Sequence, residues 1–176
     1  MGVNDNNVIF EDVRIIWRNF AGEQKQFNAE GDRNFHLVLT EEQASTMAEH
    51  GWNVKTKEPR EEGDSPLYVL KVKVSFKGRT PPRLILISSR GRTTLNEDLA
   101  MMLDWAELQT VDLIVRPYDW NIKSTGKTGR TAYLHSIYAT QMEDELSLKY
   151  ADKMEIDDKP AFVAGDKFQV DIDTDD

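Results

Sequence analysis

The chain has 176 residues, enough for one domain with a substantial hydrophobic core, and it contains no apolar run near the roughly 20 residues that a membrane span requires. Because cysteine is absent, disulfides, thiol catalysis and cysteine-based metal sites are excluded, and a cytoplasmic location is expected. The net charge of −9 is uneven: residues 141–176 carry 4 Lys and 12 Asp or Glu, giving −8, whereas residues 67–140 carry 11 basic and 6 acidic residues, giving +5.

The first β pattern covers residues 8–20, which are rich in β-branched and aromatic residues and predict one long strand. Alternation along this strand predicts a buried face. The residues of that face are Ile9, Val13, Ile15 and Trp17. The polar residues 1–7 before it are expected to be disordered. A polar loop at 22–31 leads to a second predicted strand at 35–39.

A helix is predicted next, over residues 41–50, because Thr40 can act as its N-cap and Gly51 can end it. Composition then predicts a loop at 58–66. Residues 67–77 follow as the clearest strand, in which apolar residues alternate with lysine and serine. This period of two predicts one buried face and one face in water.

The remaining elements are a strand at 84–87, a helix at 96–107, and two strands at 111–122 and 131–140 joined by the glycine-rich 123–129 hairpin. The chain is therefore predicted to be mainly β with short helices. The order of elements suggests an OB-fold-like five-stranded Greek-key barrel, with an extra strand and helix inserted before residue 67. Trp17 and Trp105 are expected in its core.

A group of cations interleaved with aromatic residues is the main candidate for function. Residues 71–92 contain seven Lys or Arg and no Asp or Glu, and a later strand repeats Arg, Tyr and Trp at alternate positions. Proteins that bind single strands need cations for the phosphates and flat rings on which unpaired bases stack. The candidate nucleic-acid-binding residues are Arg18, Lys71, Lys73, Lys77, Arg79, Arg90, Arg92, Arg116, Tyr118, Trp120, Lys123, Lys127 and Arg130. The alternative is that the lysines form an ordinary solvated strand face and the rings belong to the core.

Catalytic and metal-binding motifs are missing from the sequence. No two of the three histidines are close in sequence, as a metal-binding motif would require. The Gly-Lys-Thr at 126–128 is not part of a phosphate-binding loop, because the glycine that this loop needs five residues before Gly126 is replaced by Asn121. We therefore predict a binding protein that is not an enzyme and has no cofactor and no metal site. Two alternatives remain: a small metal-dependent nuclease built from scattered carboxylates, and an acidic interaction protein that mimics DNA.

The acidic segment is interpreted as a C-terminal tail over residues 141–176, separate from a binding domain over residues 8–140. Such tails are usually disordered and serve interactions. This one either competes with nucleic acid for the basic surface or docks on replication or recombination proteins. The tail residues assigned to such contacts are Asp171, Asp173, Asp175 and Asp176.

Five segments of the sequence resemble phage-type single-stranded DNA-binding proteins. They are Ile15–Phe20, Gly31–Phe35, Gly51–Lys55, Ser89–Thr93 and Val111–Trp120. The resemblance spans roughly residues 8–140 and implies an OB-fold core with an acidic tail. It also implies a protein that coats and protects single-stranded DNA during phage replication or recombination, in the host cytoplasm and without a cofactor.

Overall fold

In the computed structural model, which describes residues 6–150, nine β-strands and three short α-helices are present. The strands are β1 Val8–Phe10, β2 Arg14–Asn19, β3 Arg33–Leu39, β4 Val54–Lys57, β5 Leu67–Val74, β6 Arg83–Ser88, β7 Gly91–Leu95, β8 Leu108–Ile122 and β9 Lys127–Gln141. The helices are α1 Glu41–Glu49, α2 Met102–Trp105 and α3 Glu145–Lys149, and a 3₁₀ turn covers Glu97–Leu99. No helix within residues 6–150 is long and apolar enough to cross a membrane.

The strands form one sheet in the order β1-β8-β9-β5-β3-β2, with β4 added beside β5 and the β6–β7 hairpin beside β9. β9 runs parallel to β5 and β6, and the strands of the β8–β9 hairpin are antiparallel. The β2 end of the order approaches β8, because Val13, which directly precedes β2, donates from N to Val111 O at 2.9 Å. The sheet therefore curls towards a barrel in which many neighbouring strands are not consecutive in sequence. This arrangement agrees with the predicted mainly β fold.

The chain divides into two units after Met142. All nine strands belong to the first unit. In the second unit, α3 is the one element within the described residues. The tail predicted over residues 141–176 lies mostly outside the described part of the chain, so its disorder stays a prediction.

The hydrophobic core fills the concave side of the curled sheet. Its centre includes the stacked rings of Phe20 and Phe35, whose centroids are 5.1 Å apart. β5 buries every second side chain in its second half, as the alternation predicted. The buried residues there are Leu70, Val72 and Val74, and the exposed residues between them are Lys71 and Lys73.

The strand predicted over residues 8–20 is wrong in extent, and its predicted buried face is correct only for Val13 and Ile15, which pack against the core. The chain breaks at Asp12, which has a positive φ of 50° and whose backbone N donates to Asp112 Oδ1 at 2.7 Å. Phe10 and Phe20 are buried instead of Ile9, which is 66% exposed, and Trp17, which is 53% exposed. The positive φ angles at Asp12 and Trp17 shift the alternation, so the Ile9 and Trp17 side chains, which were expected in the core, lie on the surface.

The helix predictions succeeded at α1 and failed in part at residues 96–107. Thr40 caps α1 in a capping box with Gln43, and Gly51 follows the helix with φ +88°. Around 96–107 the chain forms only the 3₁₀ turn and the single turn of α2. Trp105, which was expected in the core, lies on this short segment with 77% of its surface exposed.

The helix predicted before residue 67 is present as α1, whereas β4, which pairs with β5, was not among the predicted strands. The sequence reading missed β7, a strand that pairs only with β6 within the described residues.

Candidate nucleic-acid interface

One row of paired residues crosses five strands on the face opposite the core. In register, it runs from Asn19 on β2 through Asn34, Lys73 and Tyr133 to Arg116 on β8. Residues that pair directly across strands present their side chains on the same face of the sheet. This convex face therefore gathers side chains from distant parts of the sequence.

A second row on this face joins Ile16, His36 and Lys71 in register. Beside it, β2 contains a β-bulge between Ile16 and Asn19, where Trp17 has a positive φ of 50°. Bulges of this kind re-aim a side chain. The Trp17 indole is turned onto the convex face, where it meets the His36 ring edge-on with centroids 5.0 Å apart.

A cavity of about 590 Å³ opens beside Trp17, and we call it the tryptophan cavity. Its walls come from β2, β3, β4 and β5 and from the loop between β2 and β3. The side chains that matter for binding are Trp17, Lys25, Phe27, His36, Lys57 and Lys71. Phe27 is 89% exposed. The cavity thus combines two accessible rings with three lysines.

A second cavity of about 180 Å³, the lysine cavity, adjoins the first and shares Asn34 and Lys71 with it. Its other lining residues include Arg33, Lys73, Phe76, Lys77, Glu97 and Tyr133. Arg33 is salt-bridged to Glu97 at 3.4 Å. The lysines lining the two cavities have no salt bridge within the described part of the chain. We refer to the two cavities together as the groove.

His36 lies in the tryptophan cavity and is held neutral at pH 7. Burial, with smaller contributions from the nearby charges of Lys71 and Lys57, lowers its pKa from 6.5 to about 4. Its buried Nδ1 atom has no hydrogen-bond partner among residues 6–150. The positive charge of the cavity therefore comes from its lysines, and not from this ring.

The β8–β9 hairpin continues the same face beyond the groove. Tyr133, which lines the lysine cavity, meets Tyr118 edge-on at 5.9 Å and lies beneath the Arg116 guanidinium at 5.8 Å. Trp120 donates from Nε1 to Thr131 Oγ1 at 3.1 Å and lies flat over Gly129, where an added Cβ would come within 2.3 Å of the ring. The alternating Arg116, Tyr118 and Trp120 thus share one face, as their spacing predicted.

Arg130 points to the other face of this hairpin. It binds Asp119 through two hydrogen bonds, the shorter being 2.7 Å, and it lies 5.5 Å from the ring centre of the buried Trp52. The hydrogen bond from Arg130 lowers the pKa of Asp119. With its charge balanced, Arg130 fixes the part of the hairpin near its tip against Trp52 in the segment before β4.

Several candidate residues lie outside the groove. Arg18 donates to the carbonyls of Leu103 and Ala106, both at 2.8 Å, so it anchors α2 and we leave it out of the interface. Arg79, Arg90 and Arg92 belong to the β5–β6 loop and the β6–β7 hairpin, and Lys123 and Lys127 to the tip of the β8–β9 hairpin. None of these residues lines the groove.

Part of the groove was not predicted from the sequence. The missed residues are Trp17, Lys25, Phe27, Asn34, His36, Lys57 and Tyr133. A signal was available for Phe27, because a single aromatic residue in a polar loop, two positions after a lysine, has no core to join. No comparable signal existed for Trp17, since the bulge that exposes it leaves no mark in the alternation.

Comparison with known proteins agrees with this geometry. A family model described as "Putative phage ssDNA-binding domain" matches residues 2–173. No curated protein matches the chain.

Solved structures that are similar to this chain include the following three. The single-stranded DNA-binding protein from bacteriophage Enc34 is 10% identical with a TM-score of 0.51, and covers 90% of each chain. The same protein in complex with ssDNA is 11% identical with a TM-score of 0.51, covering 80% of this chain and 89% of that one. The gp2.5 protein of bacteriophage T7 is 9% identical with a TM-score of 0.43, covering 86% and 98%.

The Enc34 likeness confirms the predicted OB-like fold. The family is defined by DNA binding, which confirms the predicted function and the prediction that the protein is not an enzyme. The chain belongs to the family of putative phage single-stranded-DNA-binding domains, as the resemblance of its five segments predicted.

Proposed function

We propose that single-stranded DNA binds along the groove and continues onto the β8–β9 hairpin. The observation that carries this proposal is the arrangement of five lysines and two exposed rings on one convex face. The lysines are Lys25, Lys57, Lys71, Lys73 and Lys77, and the rings are those of Trp17 and Phe27. Lysines contact phosphates of any sequence, and rings stack on any base. Binding is therefore sequence-tolerant.

The biological role that suits such a surface is coating and protection of single-stranded DNA during phage replication or recombination, in the host cytoplasm. The family membership supports this role. We extend the proposal to the acidic segment, whose aspartates would contact replication or recombination proteins.

The experiment is a fluorescence-anisotropy titration with labelled oligonucleotides in the presence of Mg²⁺. A mixed-sequence single strand and an oligothymidylate should bind with similar affinity, a duplex should bind more weakly, and the oligonucleotides should stay intact. Cleavage of the labelled oligonucleotide would point to a nuclease. Within residues 6–150, however, no cluster of three His, Asp or Glu side chains is suited to a metal ion. Preference for the duplex would overturn the proposal.

A further inference from the structure

We propose that the tryptophan cavity is a clamp that holds an unpaired nucleobase between the rings of Trp17 and Phe27. This inference rests on the proposed binding of DNA to the groove and gives one part of the groove a specific task. The two rings line the same cavity but come from different elements, Trp17 from the bulge in β2 and Phe27 from the following loop.

The first argument is the backbone of Trp17. A φ of 50° is unusual for any residue but glycine and is strained for a bulky one. Such strain persists at binding sites because the surrounding structure enforces it. Here its effect is to bring a half-exposed indole to the surface beside His36, where the regular alternation of the strand would have buried it.

The second argument is the loop that presents Phe27. Lys25 and Asn28 exchange two backbone hydrogen bonds, of 2.9 and 3.1 Å, which place Gln26 and Phe27 at the tip of a tight turn. The Asn28 side chain donates to the carbonyls of Glu23, Ala29 and Asp32. Its Oδ1 accepts from Asn34 Nδ2 on β3 at 2.8 Å.

The turn is therefore fixed to the sheet, although the Phe27 ring at its tip is 89% exposed. A backbone turn fixed in this way presents the exposed ring at a defined position, which lowers the entropy lost on binding.

The third argument is the chemistry around the two rings. Lys25, Lys57 and Lys71 line the cavity, and none of its lining residues is Asp or Glu. The volume of about 590 Å³ is within the range of roughly 300–1,000 Å³ found for small-molecule sites. A flat, uncharged ring joined to phosphates on both sides fits two aromatic walls with cations at the rim. An acidic peptide would satisfy the lysines but would leave both rings without a stacking partner.

The test compares a short oligothymidylate with the same backbone made abasic throughout. For Phe27→Leu we expect binding of the thymidylate to weaken about 5- to 150-fold, because a stacked ring is replaced by an apolar side chain that cannot stack. Binding of the abasic strand should not change. Phe27→Tyr should behave as the native protein, and Trp105→Leu is the matched control, since it removes an exposed ring outside the groove.

A second variant tests the other wall. Trp17→Phe keeps a ring at the bulge, so it should retain most of the affinity while it lowers the quenching of tryptophan fluorescence that DNA produces. Trp17→Leu should lose affinity for the thymidylate by a factor similar to Phe27→Leu, with a thermal melt confirming that the variant is folded.

The outcomes separate the clamp from the proposed function. If the native protein binds neither oligonucleotide, the proposed function fails. If it binds the thymidylate and Phe27→Leu binds it equally well, the groove binds DNA but the clamp is refuted. If the native protein binds both oligonucleotides equally, it contacts phosphates only, which also refutes the clamp.

Discussion

In the proposed clamp, Trp17 serves binding at the expense of stability. Its positive φ is a conformation that glycine adopts without strain. In Trp17→Gly we expect relief of this strain to offset the lost contact with His36, so the free energy of unfolding should change by less than about 1 kcal/mol. Affinity for single-stranded DNA should nevertheless fall. Chemical denaturation and anisotropy titration of the same sample measure both quantities, and a large loss of stability would show that the ring is structural.

His36 gives a pH dependence whose sign follows from its lowered pKa. Its pKa is about 4 in the folded protein and near 6.5 in the unfolded chain, so between these values the unfolded chain binds more protons. The contribution of His36 to stability is complete above pH 6.5 and is lost as the pH falls towards 4. The charged groups that lower its pKa are Lys71 and Lys57.

We therefore expect the free energy of unfolding to fall less steeply with acidification in His36→Gln than in the native protein over pH 6.5 to about 4. Denaturant melts at several pH values check this. His50→Gln is the control, since its ring lies at the end of α1 and bonds only to Thr46 O within the described residues. Parallel profiles for native protein and His36→Gln would contradict the assignment.

Among the elements, the β8–β9 hairpin is proposed to make a separable contribution to binding. Tyr118 is 57% exposed and contacts Tyr133 at the edge of the lysine cavity. We expect Tyr118→Ala to weaken binding of single-stranded DNA by about 1–3 kcal/mol without loss of fold. Ile122→Ala, which removes an exposed apolar side chain at the far end of the same strand, should have no effect. If Tyr118→Ala and Ile122→Ala bind single-stranded DNA with equal affinity, the DNA does not contact the Tyr118 face of the hairpin.

The sequence predicted those elements whose signal is local. The alternation of β5 and the capping residues Thr40 and Gly51 of α1 depend on neighbours along the chain, so their positions were readable. The bulge at Trp17 depends on pairing with β3, and the break at Asp12 depends on a hydrogen bond that the Asp12 backbone N donates to Asp112; both partners are distant in sequence. These contacts could not be read from alternation alone.

The candidate site was predicted only in part from the sequence, as the fold was. Lys71, Lys73 and Lys77 and the spacing of Arg116, Tyr118 and Trp120 identified two parts of the convex face. The residues that connect them, among them Tyr133 and Asn34, join the groove only through the register of β3, β5 and β9. Register between strands so distant in sequence is a property of the folded sheet.

At the scale of the whole molecule, charge is divided between a basic groove and an acidic C-terminal segment. Residues 143–176 carry 4 Lys and 12 acidic residues, giving −8. A polyanion tethered to a cationic surface is present at high effective concentration and competes with DNA. Deletion of these residues should therefore tighten binding of single-stranded DNA, most of all at low salt, where charges are least screened.

The deletion is best made after Met142, because Met142 N donates to Glu107 O at 2.8 Å and belongs to the first unit. A thermal melt should show that this unit remains folded. An unchanged affinity at low salt would leave the acidic segment with a role in partner binding or solubility, and without competition for DNA.

The most direct test of the central claim is the salt dependence of single-stranded DNA binding in two charge-matched variants. Each phosphate contact on a single strand contributes about 0.7 to the slope of log K against log salt. Lys71→Ala with Lys73→Ala should lower the slope by about 1.4, whereas Arg79→Ala with Arg92→Ala, which removes two exposed cations outside the groove, should leave it close to the native value. An unchanged slope in the lysine variant, or a larger loss in the arginine variant, would contradict the assignment of the groove as the DNA-binding surface.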